Sequence, residues 1–506
     1  MKTGKVYLVG AGPGDLGLIT QKGLRCLAKA EVVIYDRLLD ERLLKVVSPK
    51  TERVYVGKAA GAHTRSQSEI NRLLVEKARE GKTVVRLKGG DPFIFGRGGE
   101  EAEALAENHI PFEIIPGVTS SVAVPAYAGI PLTHRRLASS FAVITGHEAL
   151  GKGSSSINWK KLATAVDTLV FLMGMKNLPE IVAKLIEHGR SPDTPVALIK
   201  EGTTPEQETV VGRLGDIVAK AEERHLTPPA VIVVGEVVKL REKLRWFDNR
   251  PLFGKRILVT RARHQASALS QLLSERGAQP VELPVISIQP VPDAGELERA
   301  ISNLDQYQWI VFTSVNGVEA FFQQLYDLNL DARALGELKV GAIGPATAQA
   351  LRARGITPDC VPEVYSSEGL IAGLSRWDIV GKRLLLPRAD IADKKLTNGL
   401  TELGAEVHEI AVYRTVPQPK IIAQAKRVLL SGQIDVITFT SSSTVSNLVA
   451  VFNKELPAIN RAKVACIGPK TAETAVKVGL KVDIAAREHT IPGLVAAIED
   501  YFKKEV

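Results

Sequence analysis

Three stretches of the second half of this chain occur twice, in the same order. Gly254-Lys255-Arg256-Ile257-Leu258-Val259 returns 127 residues on as Gly381-Lys382-Arg383-Leu384-Leu385-Leu386. Phe312-Thr313-Ser314 returns at the same interval as Phe439-Thr440-Ser441, and Ile343-Gly344-Pro345-Ala346-Thr347-Ala348 returns 124 residues on as Ile467-Gly468-Pro469-Lys470-Thr471-Ala472. A period this long excludes a solenoid and requires two related lobes. Each copy joins an apolar, strand-like run to a helical stretch, so both lobes are α/β, with a cleft between them as the natural ligand site.

The first half alternates short apolar runs (Val6 to Val9, Val32 to Tyr35, Val84 to Leu87, Ala142 to Thr145, Leu169 to Met173) with amphipathic stretches, which again reads as α/β. At 506 residues the chain is too long for one core. The charged segment Lys239 to Asn249 precedes a strand restart at Lys255, which places a domain at 1–245, an exposed linker at 246–253 and a second domain at 254–506. The net charge of +9 is scattered, which favours a polyanionic small molecule over nucleic acid. Cys26, Cys360 and Cys466 are far apart, with no CxxC and no histidine at metal spacing, so neither a disulfide framework nor a metal site is expected. The first residues enter a strand directly and no apolar run reaches bilayer length, so a cytoplasmic protein with no membrane partner is expected.

Gly10-Ala11-Gly12-Pro13-Gly14-Asp15, followed by Asp36 after the next strand, imitates a dinucleotide-binding loop. It fails because Asp15 sets an anion where a pyrophosphate should approach and Pro13 removes a donor, so NAD is not expected. The loop Lys88-Gly89-Gly90-Asp91-Pro92 lacks the order of a P-loop. With YLVGAGPGD, VVIYDRL, VGK, VVRLKGGDPFIFGRGGEE, IPGVTSS, AYAGIPLTHR, MGM, EGTTPEQ and PPAVIVVGEVV, residues 4 to about 240 resemble the uroporphyrinogen-III C-methyltransferases. The resemblance implies a two-lobed tetrapyrrole methyltransferase fold, usually dimeric. It also implies two methyl transfers from S-adenosylmethionine to uroporphyrinogen III, giving precorrin-2 on the way to siroheme or a corrinoid. By motif match it sets Pro13, Gly89, Gly90, Asp91, Ile94, Thr119, Ser120, Met173, Gly202 and Ala230 around the methyl donor. Asp36 is matched as the base, Lys58 as proton donor and Arg97 as a substrate-carboxylate contact. Asp36 as a turn acid, Lys58 as a surface lysine and Arg97 paired with Glu100 or Glu101 are the plain structural alternatives. Ala59 stands where the family usually has arginine. The motifs start at Gly4, and the expected product therefore stops at precorrin-2.

Residues 254–506 resemble uroporphyrinogen-III synthase through GKRILVTRA, FTSVNGVEAF, IGPATA, VYRTVP, FTSSSTVSNL, IGPKTAE and HTIPGLV. That family implies one lobe from 254–289 with 418–506 and another from 290–417, joined by paired strands. The reaction it implies closes linear hydroxymethylbilane with inversion of ring D, without metal or nucleotide. Matching positions are Thr313, Ser314, Thr347, Thr440, Ser441 and Thr471 for substrate, with Tyr413 assisting loss of the hydroxyl. Helix capping, and for Tyr413 packing on a strand, are the competing roles. Rival functions are a two-lobed binding protein, which calls for an export signal, and a dehydrogenase, which calls for a complete glycine fingerprint.

Overall fold

The computed structural model describes residues 3–36, 39–57, 65–147, 156–260, 263–283, 286–417, 419–452 and 456–504. It divides into two compact units, Met1–Lys255 with Glu275–Gln279, and Arg256–Ser274 with Pro280–Val506. Each unit is built on two five-stranded sheets, so the α/β expectation holds along the whole chain.

The first sheet of the first unit is parallel throughout. Val84–Lys88 lies between Val6–Gly10 and Val32–Tyr35, with Phe112–Ile115 and Glu52–Tyr55 at the edges. Helices cover such a sheet on both faces, which is why its inner strands read as unbroken apolar runs. Arg86 and Lys88 break that pattern, since both are buried charges in the central strand. The helix Gln67–Arg79 starts with a Ser66/Glu69 capping box, which satisfies two of its free ends. In the second sheet, Phe141–Thr145 runs parallel to Thr168–Leu172, and Ala230–Val234, Pro195–Lys200 and Glu208–Arg213 follow antiparallel. Between the two sheets in sequence lies the helix Ser120–Tyr127, whose Val124 joins the core of the second.

The segment after Leu240 is not an exposed linker. Phe247 and Leu252 are buried, the rings of Trp246 and Phe247 pack on Tyr127, and Phe247 also meets Phe253. Arg250 lies over both the Trp246 and Phe247 rings, and Arg241 pairs with Asp248. Charge dominates the composition of this stretch, but Phe247 and Leu252 face inward while Trp246 stays exposed at its edge, and burial follows the face rather than the average.

In the second unit, Arg256–Val259, Val436–Phe439, Lys463–Cys466 and Val482–Ala485 lie in order in one sheet, with Gln279–Glu282 at its edge. The other sheet runs Ile286–Pro290, Glu406–Pro417, Arg383–Ala389, Trp309–Phe312, Lys339–Ala342. The sequence repeat maps strand onto strand: Arg256–Val259 and Arg383–Ala389 hold equivalent places, as do Val436–Phe439 and Trp309–Phe312. The chain starts the first sheet, crosses to build the second, and returns after the 12-residue strand Glu406–Pro417. The division expected at 289/290 falls inside Ile286–Pro290. All five residues of that strand pair antiparallel with Tyr413–Pro417, the end of Glu406–Pro417 that runs on past its pairing with Arg383–Ala389, so a two-stranded ladder of the kind expected between the lobes spans the boundary. The three cysteines are buried and unpaired, and burial pushes the Cys466 thiol up to about 12. Among the described residues no helix is long and apolar enough to cross a membrane, and no cluster of metal-binding side chains occurs.

Candidate active sites

The loops that follow Val6–Gly10, Val32–Tyr35, Val84–Lys88 and Phe112–Ile115 meet at one end of the parallel sheet, the carboxyl end of its strands, where open α/β sheets bind ligands. There they line a cavity of about 1090 Å³ whose opposite wall comes from the second sheet. Pro13, Gly89, Gly90, Asp91, Ile94, Thr119 and Ser120 lie on the first wall, Met173, Gly202 and Ala230 on the second, and Asp36 and Arg97 on the rim of the same space. Lys58 lies outside the described residues.

Backbone contact explains the glycines. A Cβ on Gly117 would sit 2.2 Å from the Gly90 carbonyl oxygen and 2.7 Å from Gly10 Cα, so three loops touch where no side chain fits. The Asp91 carboxylate ties two of them together: its oxygens accept from the N–H groups of Phe93 (2.8 Å) and Gly117 (3.0 Å). Thr119 caps the helix Ser120–Tyr127, accepting from Ser121 N–H. Asp15, which spoils the dinucleotide motif, caps a short turn and accepts from the Tyr127 hydroxyl at 2.8 Å, while its N–H donates to Thr203 Oγ1 at 3.1 Å. Burial, then this carboxylate, raises the Tyr127 hydroxyl above its ordinary range.

Eight described residues other than glycine have positive φ, and Phe95, Arg97, Met173 and Glu201 all line the cavity, with Thr203 beside it. Such conformations cost of order 1–3 kcal/mol each and persist where the surroundings hold them, so their gathering makes this cavity the candidate site of the unit. Motif matching names Arg97 and Met173 but neither Phe95, Glu201 and Thr203 nor the backbone conformation the five share. Arg97 in this conformation makes a two-pronged pair with Glu100, at 2.9 and 2.6 Å, and the pair raises its pKa. Its alternative partner, Glu101, is engaged elsewhere.

Beneath Asp36 lies a set of buried charges that motif matching also passed over. Arg86 Nη2 donates to both Asp36 oxygens, at 2.9 and 2.7 Å, and its Nε donates to Glu101 Oε1 at 3.0 Å. Lys88 Nζ donates to that same oxygen at 2.8 Å. Arg86 is 2% exposed and Glu101 0%, while Asp36 keeps an exposed face toward the cavity. Burial, and next the nearby Arg86, lower the Lys88 ammonium below its usual range. The signal available in sequence was charge inside an apolar strand, Val84-Val85-Arg86-Leu87-Lys88.

In the second unit the expected hydroxyls fall at helix starts, in two different settings. Ser314 caps Val315–Asp327, accepting from Gly317 N–H at 3.0 Å, and Ser441 Oγ accepts from Thr444 N–H at 3.3 Å before Ser442–Phe452; Thr313 and Thr440 stand one residue earlier. Thr347 and Thr471 are not caps. Gly344 and Gly468 hold that place, and the threonines are 4% and 6% exposed inside the first turn, so they have little surface for a ligand. Tyr413 is buried at the bend of Glu406–Pro417, and its hydroxyl lies 3.1 Å from Ser314 Oγ. The ring belongs to the core of this lobe, the packing role set against the catalytic one, and the hydroxyl faces the capping serine.

These folds and sites define a two-part α/β enzyme. A family model described as tetrapyrrole (corrin/porphyrin) methylases matches residues 5–218, and one described as uroporphyrinogen-III synthase HemD matches residues 267–496. The chain is 42% identical over 495 residues to the porphyrin biosynthesis protein HemD of Ruminiclostridium josui, covering 98% of this chain and 97% of that protein. It is 56% identical over 239 residues to the uroporphyrinogen-III C-methyltransferase of Methanocaldococcus jannaschii, covering 47% of this chain and 98% of that one. The solved structure of uroporphyrin III C-methyl transferase from Thermus thermophilus is 44% identical, with 47% of this chain and 100% of that chain covered and a TM-score of 0.41. The chain belongs to the family in which a tetrapyrrole methylase is fused to uroporphyrinogen-III synthase: one half is a methyltransferase, the other a lyase.

Proposed function

We propose that the second half closes hydroxymethylbilane to uroporphyrinogen III with inversion of ring D, and that the first half methylates that product twice, giving precorrin-2. What carries the reading for the first half is the convergence of Asp36, Arg97 and the ten donor-matched residues on one cavity edged by strained backbone. The walls suit S-adenosylmethionine. Side-chain-free loops let backbone amides and carbonyls approach a polar ligand closely, and Ile94, Met173 and Ala230 offer apolar surface beside them. When bound, the donor supplies a methyl group on a sulfonium, itself a good leaving group. The protein has to position the pyrrole carbon and remove a proton. Asp36 takes the pyrrole N–H proton, Lys58 returns one, and Arg97 exchanges part of its pairing with Glu100 for a substrate carboxylate.

In the second half, loss of the bilane hydroxyl leaves an electrophile, so holding the flexible polycarboxylate in the inverting geometry is the main task. N–H groups and hydroxyls at Thr313, Ser314, Thr440 and Ser441 suit carboxylates without adding buried charge. Tyr413, oriented by Ser314, assists departure of the hydroxyl. On the family resemblance we also infer a cytoplasmic homodimer associating through the methyltransferase half, acting on tetrapyrrole polycarboxylates without metal, NAD, nucleic acid or membrane.

The test is incubation with hydroxymethylbilane, with and without S-adenosylmethionine, and identification of products by mass and isomer. Type III isomer alone without donor, and its dimethylated form with donor, are expected. Only the type I isomer, or no methyl gain, would overturn the reading.

A further inference from the structure

We propose that Glu101 is a positioning residue of the methyl-transfer site, acting through Arg86 to hold the Asp36 carboxylate in one orientation. The proposal rests on the reading of Asp36 as the base. Every edge of the Arg86 guanidinium is committed: Nε to Glu101 Oε1, Nη1 to the carbonyls of Leu87 (3.2 Å) and Ile34 (3.4 Å), and Nη2 to both Asp36 oxygens. Because the group is planar, fixing its Nε edge fixes the direction in which Nη2 presents its protons, and so fixes the carboxylate that accepts them. Glu101 is placed to do this. One of its oxygens receives Arg86, Lys88 and, at 3.2 Å, Gln67 Nε2, from a strand and a helix that both pack against its own helix, Gly98–Glu107.

Charge alternates along the chain Asp36, Arg86, Glu101, Lys88, so the set is neutral as a whole. Neutralising Glu101 would leave two cations on one strand facing a single acid. An apolar cluster of the same volume would serve stability as well or better, so three buried charges ending in a half-exposed carboxylate at the cavity point to orientation rather than to strength. Glu101 also lies four residues after Arg97, on the helix that Arg97 begins. The substrate-facing arginine and the anchor of the base thus ride on one rigid element.

The test uses the full chain and four proteins: parent, Glu101→Gln, Arg86→Lys and Asp36→Asn. Methyl transfer gives kcat and KM for uroporphyrinogen III, and calorimetry gives the affinity for S-adenosylhomocysteine. Arg86→Lys keeps all four charges and loses only the fork, so it carries the test if Glu101→Gln does not fold. Both should lose about 100-fold in kcat, as expected for a misplaced catalytic group, with KM and S-adenosylhomocysteine affinity within about twofold of parent. Parent-like kcat in both variants while Asp36→Asn is inactive would overturn the positioning role and leave Asp36 as the base. Parent-like kcat in Asp36→Asn would remove the base itself, and the inference with it.

Discussion

Gly117→Ala probes the point where three loops of the first unit touch. The new Cβ would lie 2.2 Å from the Gly90 oxygen, 2.7 Å from Gly10 Cα and 2.8 Å from the Gly10 carbonyl carbon. Ordinary contact begins near 3.4 Å, so the Gly90 carbonyl has to retreat by about 1.2 Å, or the loops after Val6–Gly10 and Val84–Lys88 must part. None of the three groups is a flexible side chain, so the strain goes into backbone. Overpacking of this kind costs about 1–3 kcal/mol. The loops it moves carry Pro13, Gly90, Asp91 and Thr119, and the Gly117 N–H that holds Asp91 moves with them. If that strain is relieved only by opening the donor cradle, affinity for S-adenosylhomocysteine falls about 5- to 150-fold. Titration calorimetry on the full chain measures it, with the rate of type III isomer formation as an internal control in the other unit. Parent-like affinity in a folded Gly117→Ala protein would refute the reasoning that these loops hold the donor. A parallel fall in synthase rate would show general damage instead.

Phe247→Ala should cost about 3–5 kcal/mol, because this buried ring packs on Tyr127, Trp246 and Phe253. The check is the urea midpoint at which donor binding is lost; an unmoved midpoint would place the segment outside that fold. Tyr413→Phe keeps the ring and removes only the hydroxyl 3.1 Å from Ser314 Oγ, so type III isomer formation should slow on the order of 100-fold with the melting profile nearly kept. An unchanged chemical step would make Tyr413 a packing residue. Glu113 bonds Lys22 and Lys5, which hold its carboxyl down at about 2. A depressed acid stabilises above its unfolded value, about 4.3, and loses that contribution as pH falls through about 2. Glu113→Gln should therefore melt below parent at pH 6 and match it near pH 2; a gap that persists in acid would show that charge is not its source.

Periodicity and local chemistry made much of this legible without coordinates. The 127-residue repeat shows that two lobes exist because related lobes need the same strand and turn residues in the same order, and three neighbouring strands of one sheet correspond to three of the other. The glycine loops are visible because only glycine allows backbone to touch backbone, and a loop that touches others carries that demand in its own residues. Other features depend on which residues meet. The aromatic face of the segment after Leu240 was hidden by its charge, since composition averages over a turn while burial selects one side. Thr347 looked like a cap, but it stands three residues past the capping Gly344, on the buried side of the first turn. The quartet under Asp36 draws on positions 36, 86, 88 and 101. No spacing in the chain announces it, because its members become neighbours only when parallel strands set Ile34 beside Arg86 and the helix after Arg97 folds Glu101 down onto them. Residue type declares what a position can tolerate; the long-range register of strands decides which charges share a dry space, and that choice sets the chemistry of the site.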